Sequence, residues 1–192
     1  MDNNHPIRKS TRLQSHDYRT AGAYFVTICT QDRKQLLSDI IKTPENPTAV
    51  GEGLAPPQLS QGNLRVREGL IPPDYWVQLK PCGEIVREQL YLLEERFPSI
   101  EVSDYVIMPD HVHAIIILLA QEGGASPSPT LDEVICAFKS LTSRSCKQKL
   151  GVERIFQRSY ADHIVRDRED YETRRKYIYE NPIRWYYKCL KS

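Results

Sequence analysis

The chain has 192 residues, 40% of them hydrophobic, and a formal net charge of +1 at pH 7. That length and apolar content suffice for one domain with its own core, so neither disulfides nor a structural metal is needed to hold it together. The longest apolar run, Ala114 to Ala120, is too short to span a bilayer, and the opening MDNNHPIRKSTR lacks the apolar core of a signal peptide, which points to a cytoplasmic protein with no membrane partner.

The five cysteines (Cys29, Cys82, Cys136, Cys146, Cys189) are odd in number, scattered and without C-x-x-C spacing, so they read as reduced small hydrophobes. Charge is unevenly spread. Arg166 to Ser192 holds eight Lys/Arg against five acids, whereas Ser38 to Ile100 holds six against nine, an asymmetry compatible with a polyanion on one surface.

In chain order, residues from about 1 to 20 form a basic arm with Arg8, Lys9 and Arg12, and Tyr24 to Thr30 (YFVTICT) reads as a buried first strand. The stretch from about 41 to 74 is rich in Pro and Gly without sustained period. It is an inserted loop within a single domain spanning 1–192, open to three readings: disordered, packed as an extra hairpin around Leu64 to Val66 and Trp76 to Leu79, or a lid. Val86, Leu90, Leu93 and Phe97 step at helical intervals, predicting a covering helix over Pro81 to Phe97. Val102 to Met108 and Val112 to Leu119 are strands joined at Met108-Pro109-Asp110. After a linker at Gly123 to Pro129, Thr130 and Glu133 form a capping box. The helix it opens has Leu131, Val134, Ile135, Phe138, Leu141 and Leu150 as its inward stripe, Gly151 as its stop, and Lys139 and Arg144 on other faces. Short apolar runs at Ile155 to Gln157 and His163 to Val165 can add strand, and Asp167 opens a last helix running roughly to Tyr179, ahead of Pro182.

This order gives an α+β fold: a ferredoxin-like antiparallel sheet with helices on one face and an appended C-terminal helix, leaving the sheet's other face for a ligand. Strand side chains alternate, so His111 and His113 project from one face while Val112 points away. The spacing suits two converging ligands, and equally suits surface or packed histidines. Tyr177 and Asn181, four apart, share one helix face and co-present a phenol and a carboxamide. An amide oxygen can join two imidazoles as a third metal ligand and a phenol can act as nucleophile, although amphipathic packing and helix termination account for the same residues.

The stretches DYRTAGAYFVTICTQDRKQLL, DYVIMPDHVHAIIIL, IFQRSYADHIVRD and KYIYENPIRW resemble the HUH-motif single-tyrosine transposases, and within them the REP-associated tyrosine transposases, from about Asp17 to Tyr187. The resemblance implies a ferredoxin-like fold, His111, His113 and Asn181 as metal ligands, and Tyr177 as nucleophile rather than Tyr171 or Tyr179. Ligand softness alone admits zinc, manganese or nickel; the resemblance points to magnesium or manganese. It further implies cleavage and rejoining of single-stranded, hairpin DNA through a 5′-phosphotyrosine, with a free 3′-hydroxyl. A free phenol has a pKa near about 10 and needs help from metal, base or cation to react at neutral pH. Candidate phosphate contacts are Arg8, Lys9, Arg12, Lys139, Arg144, Arg158 and Arg166; Tyr160 and Tyr186 are candidates for base stacking, and His163 is an accessory candidate. The competing classes are a non-catalytic nucleic-acid-binding module and a small metal-dependent hydrolase, and the sequence does not choose between monomer and homodimer.

Overall fold

The computed structural model describes residues 20–42, 75–120 and 129–190. Arg8, Lys9 and Arg12 of the basic arm, residues 43–74 of the insertion and 123–128 of the linker lie outside these residues. Strand β1 (Gly22–Cys29) is followed by a short 3-10 turn (Gln31–Arg33), and β2 (Ser38–Lys42) pairs with β3 (Tyr75–Leu79) as a separate antiparallel ribbon. Next come helix α1 (Pro81–Arg96), β4 (Ile100–Met108), β5 (His111–Leu118), α2 (Leu131–Leu150), β6 (Ala161–Val165) and α3 (Arg168–Cys189). The main sheet has the order β4-β5-β1-β6, antiparallel throughout, which is the α+β, ferredoxin-like arrangement expected from the element order.

The alternation of β-branched and aromatic residues along the strands divides the apolar side chains between two layers. Tyr24, Val26 and Ile28 of β1 and Val112, Ala114 and Ile116 of β5 point to the face that α1 and α2 cover with Val86, Leu90, Leu93, Leu131, Ile135 and Phe138. Complete burial of a side chain of this size contributes about 1.5–3 kcal/mol, so this layer dominates stability. Phe25, Val106, Met108 and Ile115 point to the opposite face, where Ile178 of α3 packs on them. The appended helix therefore lies over the face that the sequence leaves open, and roofs part of it.

Three local details differ from the sequence reading. Ile41 and Lys42 belong to β2 rather than to the insertion, so the insertion is bracketed by the β2–β3 ribbon. The stripe of α2 continues through Thr142 and Cys146 instead of Leu141 and Leu150. Thr142 is tolerated there because its hydroxyl donates to the Phe138 carbonyl at 2.7 Å, while Leu150 is exposed. Helix α3 does not stop near Tyr179 but passes through Pro182 to Cys189. Proline removes one bond, that to the Ile178 carbonyl, and ring contacts of Trp185, Tyr186 and Tyr187 beyond it hold the last turns in place. No helix among the described residues is long and apolar enough to cross a membrane.

Candidate active site

The turn Pro109–Asp110 delivers His111 as the first residue of β5. There it pairs in register with Met108 of β4 and Cys29 of β1, and His113 follows opposite Val106 and Thr27. Strand alternation puts both imidazoles on the α3 face, their ring centroids 4.5 Å apart and nearly perpendicular. Both are buried, at 7% and 4% exposure, which is deeper than a hairpin mouth suggests. Nδ1 of His111 lies 2.5 Å from Asp110 Oδ1, and Nδ1 of His113 lies 2.9 Å from the Thr27 hydroxyl. His113 also stacks on Phe25 with centroids 5.1 Å apart. Burial holds the His113 pKa down to about 3. It also lowers that of His111, against the opposing pull of the Asp110 carboxylate. Both rings are thus neutral near pH 7, with the Nδ1 atoms engaged by Asp110 and Thr27.

Helix α3 brings the second half. Tyr177, Asn181 and Trp185 recur every four residues and so form one stripe. The Tyr177 ring lies 5.2 Å from His113 and 5.9 Å from Phe25, and that of Trp185 lies 5.9 Å from His111. Asn181, 7% exposed, lies within interaction range of His111. Tyr177 is 38% exposed, and its hydroxyl has no hydrogen-bond partner among the described residues; the Arg184 guanidinium sits 5.8 Å from its ring centroid. The structure thus gathers His111, His113, Tyr177 and Asn181 on one face.

The neighbouring tyrosines of α3 are engaged elsewhere. A register shift in β4 between Val102 and Asp104 turns the Asp104 carboxylate toward α3, where it is buried. Tyr179 donates to it at 2.8 Å and Tyr171 at 3.1 Å, with Arg175 Nε at 3.4 Å and the Ser103 hydroxyl at 3.0 Å. Burial and then the bond to Asp104 push the Tyr179 phenol up to about 12, and burial raises Tyr171 as well. These bonds clamp α3 to the sheet edge and fix the rotation that presents Tyr177.

The remaining candidates separate. His163 faces the α3 side opposite Phe25, but its Nε2 bonds Asp170 Oδ2 at 2.7 Å, which makes it a brace for the first turn of α3. Lys139 and Arg144 lie on α2, in the other layer; the Lys139 ammonium donates to the Arg158 carbonyl at 2.7 Å, tying that pair together away from the histidines. Arg166 is exposed beside the N-terminus of α3, where its backbone N–H meets Asp170. Tyr160 is buried and bonds Asp132, whereas Tyr186 packs on Tyr75.

Sequence reasoning passed over Asp110, Arg33 and Trp185. Adjacency to His111 and the four-residue step beyond Asn181 could have marked the first and last; nothing local marks Arg33. Among the described residues no group of three or more His, Cys, Asp or Glu gathers as a metal site.

No family model matches the chain. It is 25% identical over 193 residues to an uncharacterized protein of Haemophilus influenzae, covering 93% of this chain and 89% of that one. The fold is that of a transposase. Specifically, a REP-associated tyrosine transposase bound to a REP hairpin superposes with a TM-score of 0.53 at 19% identity, over 90% of this chain and 74% of its own. A putative transposase from Deinococcus radiodurans gives a TM-score of 0.44 at 12% identity, over 85% and 92% of the two chains.

Proposed function

We propose that this chain is a metal-dependent enzyme of the HUH single-tyrosine class that cuts and rejoins single-stranded, hairpin-forming DNA through a 5′-phosphotyrosine. The observation that carries the reading is the convergence of His111, His113 and Asn181 beside Tyr177, on the fold of a transposase that itself binds a REP hairpin. Burial keeps both imidazoles neutral, their Nδ1 atoms are held by Asp110 and Thr27, and Asn181 brings its amide to His111, so the three side chains fit a divalent cation, magnesium or manganese. When bound, such a cation supplies charge neutralisation at the scissile phosphate.

The chain's own residues do the rest. The hydroxyl oxygen of the half-exposed Tyr177 side chain attacks phosphorus, forming an O–P bond to the 5′ side while the bond to the 3′-oxygen breaks and leaves a 3′-hydroxyl. The proton lost by the phenol balances that gained by the leaving oxygen. Attack by a 3′-hydroxyl reverses the sequence and rejoins strands without a nucleotide cofactor. Asp104, Tyr171 and Tyr179 keep α3 in register so that Tyr177 meets the histidine face. The test is incubation of the full chain with end-labelled hairpin oligonucleotides and magnesium or manganese, read on a denaturing gel. A denaturation-resistant protein–DNA band supports the reading. Cutting without an adduct indicates a hydrolase, and binding without cutting a recognition module.

A further inference from the structure

The turn after β1 holds two successive non-glycine residues, Asp32 and Arg33, at φ 55°. Left-handed backbone crowds any Cβ, and aspartate and asparagine tolerate it best, so Arg33 is the costlier of the two. The conformation is held from outside. The N–H of Thr30 donates to the Asp110 carbonyl at 2.9 Å, its buried hydroxyl lies 2.8 Å from the Lys34 carbonyl and 3.0 Å from that of Asp110, and the N–H of Gln31 donates to Ile155 at 2.8 Å. Strain that its surroundings impose at the edge of a candidate site calls for an account of what the strained residue does there.

One terminal nitrogen of Arg33, Nη1, lies 3.5 Å from Asp110 Oδ2, on the same carboxylate whose other oxygen holds His111, and 3.1 Å from Cys29 Sγ. Nε and the second terminal nitrogen have no partner among the described residues, and the side chain is 54% exposed. Asp110 therefore orients the guanidinium through one corner and leaves a donor edge facing outward. A planar fork with a free edge, anchored on the carboxylate that holds His111, suits a phosphate oxygen.

We propose that Arg33 contacts the substrate phosphate at this site, its free guanidinium edge taking a non-bridging oxygen of the DNA phosphate presented to Tyr177. The assignment rests on the proposed DNA-processing function and adds to it a cationic residue that approaches from β1 rather than from α3.

The experiment compares wild type, Arg33→Asn and Arg33→Lys as full chains with labelled hairpin oligonucleotides. Three quantities are read: adduct rate at saturating DNA, salt dependence of binding, and melting temperature. Asn adopts the left-handed conformation easily, so Arg33→Asn should fold normally. It should form adduct about 10- to 100-fold more slowly, the loss expected for one charge-assisted hydrogen-bonded contact. Its slope of log affinity against log salt should shrink by about 0.7, one single-strand phosphate contact, which a purely structural role would not change. Arg33→Lys should restore the slope but only part of the rate. An adduct rate and slope matching wild type in Arg33→Asn overturn the proposal, as do rate losses that merely track melting temperature in both variants. If wild type binds but forms no adduct, the enzymatic reading fails separately, and an unchanged slope in Arg33→Asn then rejects the phosphate contact as well.

Discussion

Replacing Asp104 with alanine should destabilise the protein more than any other polar substitution at the interface between α3 and the sheet. The carboxylate is 7% exposed and faces Arg175, whose side chain is 14% exposed, while accepting from the Tyr171 and Tyr179 phenols. Removing one member of a buried ion pair costs about 3–5 kcal/mol; Arg175 keeps only the exposed Glu172 carboxylate at 3.6 Å, and two phenols lose their acceptor as well. Against a total stability of about 5–15 kcal/mol that is a large fraction, and at roughly 2–4 °C per kcal/mol for a chain of this size the melting temperature should fall by about 10 °C. The same network has a pH signature. Tyr179 is pushed up to about 12, by burial first and then by Asp104, so the folded state holds this proton more tightly than the unfolded chain, where the ordinary value is 10. Its contribution is complete below pH 10 and is lost as pH rises from 10 toward 12; Tyr179→Phe should remove that loss. Thermal melts from pH 7 to 12 on wild type, Asp104→Ala and Tyr179→Phe check both statements. A fall of less than 2 °C for Asp104→Ala at pH 7 would refute the argument that this carboxylate anchors α3.

Asp110→Asn removes the charge that orients His111, so manganese affinity by calorimetry should drop about 10- to 100-fold; unchanged affinity contradicts the orienting role. Gly83→Ala places a methyl group against the Leu37 carbonyl, a backbone atom that cannot swing away, and should cost about 1–3 kcal/mol in urea unfolding, whereas a neutral result would show that the β2–α1 approach is slack. Asp170 is held down to about 2, chiefly by its hydrogen bond from His163, so its contribution is present above pH 3.8 and lost as pH falls toward 2. Acid unfolding should shift accordingly in Asp170→Asn, and identical acid profiles for the two proteins would rule this brace out.

Local pattern made much of the architecture legible. The capping box at Thr130 and the left-handed Gly151 bound α2 where the sequence places them, and the two-residue period explains why His111 and His113 share a face. What the pattern lacks is distance information. Asp104 meets Tyr171 and Tyr179, which lie 67 and 75 residues later, through a register shift in β4 that no periodicity announces. Arg33 reaches Asp110 only because β1 and β5 are neighbours, and Trp185 reaches His111 only because α3 continues past Pro182, a residue that locally reads as a stop. The five-residue β2 was hidden because its apolar content is two isoleucines at the edge of a Pro/Gly-rich stretch.

The central claim is that Tyr177 is the attacking group, and the most direct measurement is the identity of the tyrosine that carries DNA. Wild type, Tyr177→Phe, Tyr179→Phe and Tyr171→Phe would each be incubated with labelled hairpin DNA and manganese, denatured, digested and analysed by mass spectrometry for phosphotyrosine-linked nucleotide. Tyr177→Phe removes one oxygen and keeps the ring's contacts with His113 and Phe25, so DNA binding should persist while adduct and cleavage vanish together. Tyr179→Phe and Tyr171→Phe, whose hydroxyls serve Asp104, should lose stability but still place nucleotide on Tyr177. An adduct on any other residue, or one that survives in Tyr177→Phe, contradicts the account.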